Sequence, residues 1–236
     1  MSIYETNYQI LSSDTDCRRR LRLSSMFTLL QEAAIAHTTA LGFGREKTLD
    51  RGLLWAVALQ HAKIYRLPEY DEQITLRSAP GEIMHTFYPR SACLTDAAGK
   101  TLVSSSALWV LMDRETRTMV SPEKTGVVIP GSEPDWKIFW PRTPKLPQAP
   151  QSTAFTVPYS YVDLNGHMNN TRYFDLAEDM MPASLRACNV REVMTEYTGE
   201  AKEGDTLRLT AETRGNTFFL AGAGEKRLFR LSIAYA

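Results

Sequence analysis

The chain has 236 residues, enough for one large domain or two small ones, and either would bury a substantial core. Its 27 Lys and Arg balance 27 Asp and Glu, which excludes the bulk positive charge of a general nucleic-acid binder. Hydrophobic residues (43%) and charged ones (23%) stand in the ratio of a soluble globular protein, and no apolar run is long enough for membrane insertion.

Met1 to Asn7 lacks the basic start and apolar middle of a signal peptide. Cys17, Cys93 and Cys188 are far apart and odd in number, which argues against a disulfide framework and for a reducing, cytoplasmic setting. His37, His61, His85 and His167 are dispersed, with no HExxH or CxxC spacing, so neither a metal nor a cofactor is expected.

In chain order, Tyr4 to Leu11 alternates and reads as a strand. Asp14 to Arg22 holds Arg18, Arg19, Arg20 and Arg22; it reads as a solvated loop or edge strand, or else as a docking patch for an acidic partner. Ser24 and Ser25 offer N-caps to a helix through Met26, Leu29, Leu30, Ala33, Ala34, His37 and Leu41, which Gly42-Phe-Gly44 stops. His37, near the apolar stripe, reads as a partly buried histidine with a hydrogen-bond partner. Leu53 to Leu67 is a long strand-like run, Pro68 to Glu72 a turn, and Gln73 to Arg77 a return strand. Phe87 to Thr95 and Thr101 to Asp113 form a hairpin about Asp96-Ala-Ala-Gly99.

Pro130 to Pro150 holds six prolines and reads as an ordered linker between residues 1–129 and 151–236. The pattern then recurs: a strand from Ala154 to Val162, a helix from Thr171 to Met181 ended by Pro182, and four strands. Those strands are Arg191 to Ala201, Thr206 to Arg214, Thr217 to Ala223 and Lys226 to Tyr235. Phe27-Thr-Leu-Leu-Gln-Glu32 matches Tyr173-Phe-Asp-Leu-Ala-Glu178, so an α+β unit of one helix and a strand meander is duplicated. Pairing two copies covers the sheet edge and apolar face that each alone would leave open.

Tyr159 to Phe174 stands out within the second copy. It sets Asp163, Asn165 and His167 at alternate positions, and in an extended segment all three point the same way. Asn169 or Asn170 then caps a helix with Tyr173, Leu176, Ala177 and Met180 on its inner stripe. A carboxylate, an amide and an imidazole ahead of a helix's positive end suit oxyanion stabilisation. The bland alternative is a loop of turn and cap residues, since Asn165-Gly166 is a turn dipeptide.

One helix swaddled in antiparallel sheet, twice in tandem, resembles the double hotdog of the acyl-acyl-carrier-protein thioesterases. Leu29-Leu-Gln-Glu-Ala33, Leu53-Leu-Trp-Ala-Val57, Ser105-Ser-Ala-Leu-Trp-Val110 and Asp163-Leu-Asn-Gly-His-Met-Asn-Asn170 carry the resemblance in order along nearly the whole chain. Without a transit peptide, the chain resembles the bacterial branch. The resemblance implies that the first hotdog houses the acyl chain and the second is catalytic, through Asp163, Asn165, His167 and, in Glu196-Tyr-Thr-Gly-Glu200, Glu200. Many plant relatives carry a cysteine directly after that acid; here it is Ala201, which rules out a thiolate there. In the first half, Asp16-Cys-Arg-Arg-Arg-Leu-Arg22 precedes the helix and Pro68 stands roughly where Glu200 does, implying one active site per chain.

The implied reaction is hydrolysis of fatty acyl thioesters on acyl carrier protein, by a monomer or homodimer and without a cofactor. Glu200 or His167 takes a proton from water, Asp163 orients or shares that task, and Asn165 positions water or carbonyl. Direct carboxylate attack is the other route. An acidic carrier calls for a basic surface, for which Arg18 to Arg22, Lys202, Arg208 and Arg227 are candidates. Two readings compete with the functional ones: Glu200 sharing a solvated strand face with Glu196 and Thr198, and Trp55 and Trp109 as core residues instead of tunnel lining. A Cys-His-Asn site fits poorly, because Cys188 lies past Pro182 and Cys17 and Cys93 belong to the other half. The alternatives in function are an acyl-CoA thioesterase and a non-catalytic acyl-chain-binding protein.

Overall fold

A computed structural model describes residues 3–136, 139–149 and 151–236; Pro150, the last of the linker prolines, lies outside them. Ten strands form one antiparallel sheet: β1 (Tyr4–Gln9), β2 (Leu53–Ile64), β3 (Gln73–Pro80), β4 (Phe87–Asp96), β5 (Thr101–Asp113), β6 (Thr153–Thr156), β7 (Val190–Tyr197), β8 (Thr206–Arg214), β9 (Thr217–Ala223) and β10 (Arg227–Tyr235). Their order is β1-β3-β4-β5-β2-β7-β10-β9-β8-β6, so each half contributes five adjacent strands. The seam is β2 against β7, from Leu59 opposite Glu196 to Lys63 opposite Glu192. It pairs the innermost strand of each half and leaves only short β1 and β6 as edges, which limits edge-to-edge association.

Each half wraps one long helix, α1 (Leu23–Ala40) and α3 (Arg172–Met180); α2 (Pro122–Thr125) and α4 (Ala183–Arg186) are single turns. Strand, helix and meander, twice over, make two hotdog units. The apolar stripes of α1 and α3 meet at Phe27 and Phe174, both fully buried and stacked with ring centroids 4.2 Å apart. One continuous core therefore runs through both units, from Ile10 and Leu76 to Leu220 and Ile233. Fully burying one such side chain contributes roughly 2–3 kcal/mol.

Several elements are shorter than their sequence patterns. The strand expected over 154–162 stops at Thr156, and a single 3-10 turn follows at Tyr159–Tyr161. The run to Leu67 pairs only to Ile64, and the run to Ala201 only to Tyr197. α1 starts at Leu23, with Arg22 in the N-cap position, so Ser24 and Ser25 lie inside the first turn and cap nothing.

Residues 130–136 and 139–149 form a strap across the sheet face away from the helices. Asp135 pairs with Arg77 on β3 at 3.0 Å, and the Trp136 ring lies under that guanidinium. Phe139 meets His61 and Lys63 on β2, Arg142 pairs with Glu192 on β7, and the Leu146 carbonyl accepts from Arg214 on β8. On those strands Leu76, Ala62 and Val193, their alternate neighbours, are core residues, which fixes the strap on the opposite face. Among the described residues no helix is long and apolar enough to cross a membrane.

Candidate active site

Asp163 to His167 forms a tight turn, not an extended segment. Gly166 takes φ +78°, the left-handed conformation that glycine adopts without steric cost. The Gly166 N–H donates to the Asp163 carbonyl (2.9 Å) and the Asp163 N–H to the His167 carbonyl (2.9 Å). The Asp163 carboxylate folds back to accept the Asn165 N–H at 2.8 Å. Turn closure, instead of strand alternation, thus brings Asp163, Asn165 and His167 to the wall of one cavity.

The turn is tied to the chain after β7 by the Met168 N–H donating to the Ala201 carbonyl at 2.7 Å; Ala201 itself is fully buried. Asn169 does not cap α3. Its side-chain oxygen accepts from the Thr171 N–H (2.9 Å) and hydroxyl (2.8 Å), and Thr171 holds the N-cap position. The Asn170 carbonyl accepts the Tyr197 hydroxyl at 2.7 Å, while the buried Asn170 Nδ2 has no partner among the described residues.

Glu200 lies beyond the strand, so it shares no solvated face with Glu196, whose carboxylate bonds Arg230 at 2.6 Å. Past Tyr197, the N–H groups of Thr198 and Gly199 both donate to the Leu228 carbonyl, at 2.8 and 3.2 Å. A Cβ at Gly199 would stand 2.6 Å from Leu228 Cδ2, so a side chain there would require that leucine methyl to shift. The bend re-aims Glu200 toward the turn: its Oε2 is 3.4 Å from His167 Nε2, and its Oε1 is 3.3 Å from Arg117 Nη1.

His167 is buried, and its Nδ1 has no partner among the described residues. Burial holds its imidazole below the usual range; the Glu200 and Asp163 carboxylates oppose that shift, and Arg117 and Lys202 reinforce it. At neutral pH the ring is therefore uncharged and able to accept a proton.

The cavity has a volume of about 550 Å³ and continues from this site into the first unit. There Leu54, Trp55, Val57, Trp109 and Met112 form an apolar wall, with Trp55 edge-on to Tyr88 at 4.8 Å. Both tryptophans are partly buried and line the cavity, so the core reading is incomplete. Arg90 and Thr38 lie on the same lining. The Arg90 guanidinium, which burial pushes down to about 10, bonds His37, Ser78 and Thr38 at 3.0–3.1 Å, so His37 is the buried, partnered histidine expected.

Two family models match this chain: the acyl-ACP thioesterase N-terminal domain over residues 1–125, and the C-terminal domain over residues 145–227. The chain belongs to the acyl-ACP thioesterase family. Among its relatives, the chloroplastic palmitoyl-acyl carrier protein thioesterase of Arabidopsis thaliana is 24% identical over 94% of this chain. The chloroplastic dodecanoyl-[acyl-carrier-protein] hydrolase of Umbellularia californica is 22% identical over 91%. The matches span only 58% and 60% of those longer relatives. Among solved structures, an acyl-ACP thioesterase from Bacteroides thetaiotaomicron superposes with TM-score 0.87 at 20% identity, covering 100% of this chain and 98% of that one. The 12:0-ACP thioesterase of Umbellularia californica gives 0.84 at 19% identity, covering 100% and 98%. At these identities the superpositions establish the shared fold.

In this acyl-ACP thioesterase family member no cysteine among the described residues lines the cavity. Cys17 is exposed, Cys93 is buried with its thiol pushed up to about 11, and the Cys188 thiol contacts the Ser184 carbonyl. Among the described residues no group of three or more His, Cys, Asp or Glu is arranged to hold a metal ion. The Arg18 to Arg22 cluster is largely engaged within the chain. Arg20 pairs with Asp16 and donates to the carbonyls of Arg186 and Cys188, Arg18 donates to Arg186, and Arg22 to Thr15. Sequence reading missed Arg117 and Tyr197 at the site and saw in Asn170 only a helix cap. Arg117 carries no signal there, being one polar residue in a turn of the other unit.

Proposed function

We propose that this protein hydrolyses fatty acyl thioesters on acyl carrier protein, releasing free fatty acid and ending chain elongation in the cytoplasm. The supporting observation is the continuity of one cavity, which joins His167 and Glu200 to the apolar wall of Trp55, Val57 and Trp109. A thioester carbonyl at the turn would direct its acyl chain into the first unit. Residues 1–129 then house the chain, 151–236 supply the chemistry, and the strap between them holds the halves in register.

In this reading a water attacks the thioester carbonyl carbon, and its proton passes to the His167–Glu200 pair. Asp163 fixes the turn, and Asn165 holds the water or the carbonyl. The tetrahedral oxyanion is met by Asn170 Nδ2, the buried donor left without a partner among the described residues. Collapse breaks the C–S bond, and the pair returns the proton to the carrier thiolate. A single chain holds the complete set, so monomer and homodimer both suffice. Lys202, exposed beside the site, is a better contact for an acidic carrier than Arg18, Arg20 or Arg22.

Free-thiol release from palmitoyl carrier protein and palmitoyl-CoA tests the proposal, with His167→Ala beside the wild type. Faster release from the carrier-protein thioester, lost in the variant, is the expected result. Equal or faster use of CoA would make this an acyl-CoA thioesterase. Binding of the acyl chain with no thiol released from either would leave a lipid-binding hotdog.

A further inference from the structure

Arg117 comes from the first unit, yet its side chain ends in the second unit's site. It sits in the turn that closes β5, where Asp113 Oδ1 accepts the N–H groups of Glu115 (3.0 Å) and Thr116 (2.8 Å) and the Thr116 hydroxyl (3.0 Å). The Arg117 N–H donates to the Asp113 carbonyl at 3.0 Å, and the residue takes φ +57°, a left-handed conformation unfavourable to a side chain with a Cβ. So firmly bonded a turn aims the guanidinium. It meets Glu200 Oε1 at 3.3 Å while the other oxygen, Oε2, lies 3.4 Å from His167 Nε2.

We propose that Arg117 is a positioning residue of the hydrolytic site: it pins one Glu200 oxygen so that the other meets His167, making the site depend on both hotdog units. The proposal rests on the hydrolase reading above. The rival is an ordinary ion pair, since both side chains are about one-third exposed (33% and 32%) and pairs so exposed add little to stability. Geometry separates the two, because Arg117 bonds the same carboxylate that contacts the imidazole. Lys202 and Glu200 from the post-β7 loop and Asp163 from the turn also act on His167, and Tyr173 from α3 faces Glu200. Of these charges, Arg117 alone comes from the first unit.

Arg117→Gln and Arg117→Lys are compared with wild type in carrier-protein thioester hydrolysis against pH, with thermal unfolding alongside. Arg117→Gln should lose on the order of ten- to a hundredfold in kcat with KM little changed, as expected for a displaced catalytic group. The acidic limb of its profile should move to higher pH, since a cation that opposes His167 protonation is gone. Arg117→Lys should restore the limb and only part of kcat, and the melting temperature should stay put in both. An NMR titration of the His167 imidazole in wild type and Arg117→Gln reads the same coupling without turnover. An unchanged titration, or a loss confined to KM, would overturn the positioning role. If the wild type releases no thiol, the hydrolase reading fails, and the titration still decides Arg117.

Discussion

The turn that carries Asp163, Asn165 and His167 has a twin at Asp16 to Arg20. In the twin the Asp16 N–H donates to the Arg20 carbonyl (2.8 Å), the Arg19 N–H to the Asp16 carbonyl (2.9 Å), and the Arg18 N–H to Asp16 Oδ1 (2.8 Å). These are the bonds of the 163–167 turn one for one, with Arg19 at φ +65° in the place of Gly166. Thr15 and Leu21 bridge as Val162 and Met168 do, and the Leu21 N–H reaches the Pro68 carbonyl as the Met168 N–H reaches Ala201. Pro68 therefore matches Ala201, and Leu67 matches Glu200, one residue from the correspondence expected from sequence. The difference lies in the side chains and in what stands before them. Arg18 and Arg20 replace Asn165 and His167 and are spent on the carbonyls of Arg186 and Cys188, where α4 ends; the second turn opens on the cavity. The two turns thus share a backbone scaffold and differ in the groups they present.

Exchanging residues between the turns tests this most severely at His167. His167→Arg installs the residue of the twin and leaves Glu200 a partner, so the fold should persist. Thiol release should fall by about 10²–10⁴-fold, the range for loss of a general base. The converse Arg20→His should create no second site, because Leu67 offers no carboxylate; a His167→Arg protein of undiminished turnover would sink the proton-transfer role.

Arg20→Ala should give the opposite profile. It removes a guanidinium that bonds Asp16 and two carbonyls at 3.0 Å, leaving partly buried acceptors unmet. A loss of about 1–3 kcal/mol in urea unfolding is expected, with kcat retained. Unaltered stability together with a raised KM for the carrier-protein thioester would instead return Arg20 to a docking surface.

The repeat, its helices and the succession of its strands along the chain were readable because apolar periodicity reports burial, and both copies bury the same faces. Asp163, Asn165, His167 and Glu200 do converge on one cavity, but their geometry was misread locally. Alternation suggested an extended Asp163 to His167, whereas Asn165-Gly166, already recognisable as a turn dipeptide, dictates the closed form. Glu200 looked like a strand residue because the backbone bend after Tyr197 is held by the Leu228 carbonyl, distant in sequence. Arg117 was illegible for the same reason: its role arises from packing one unit against the other.

An effect seen only through its pH dependence lies on the helices. The turn bonds and the Phe27–Phe174 stack place the two copies in a register that matches Glu178 of α3 with Gln31 of α1, one residue away from the pairing of Glu178 with Glu32 suggested by sequence. Burial pushes the Glu178 carboxyl up to about 7; Asp175 and Asp16 add to the shift, while the Leu23 N–H and Arg22 oppose it. An unfolded Glu titrates near ~4.3, so between about pH 4.5 and 7 the folded chain holds a proton that the unfolded chain has released. Stability from this group is thus fully present below that window and is lost as pH rises through it, by about 4 kcal/mol at most. Glu178→Gln, which installs the residue of the first copy, keeps the uncharged form at every pH. Melting temperatures of the two proteins should nearly coincide at pH 4.5 and separate in favour of the variant by pH 8. A gap independent of pH would show that some other group governs this slope.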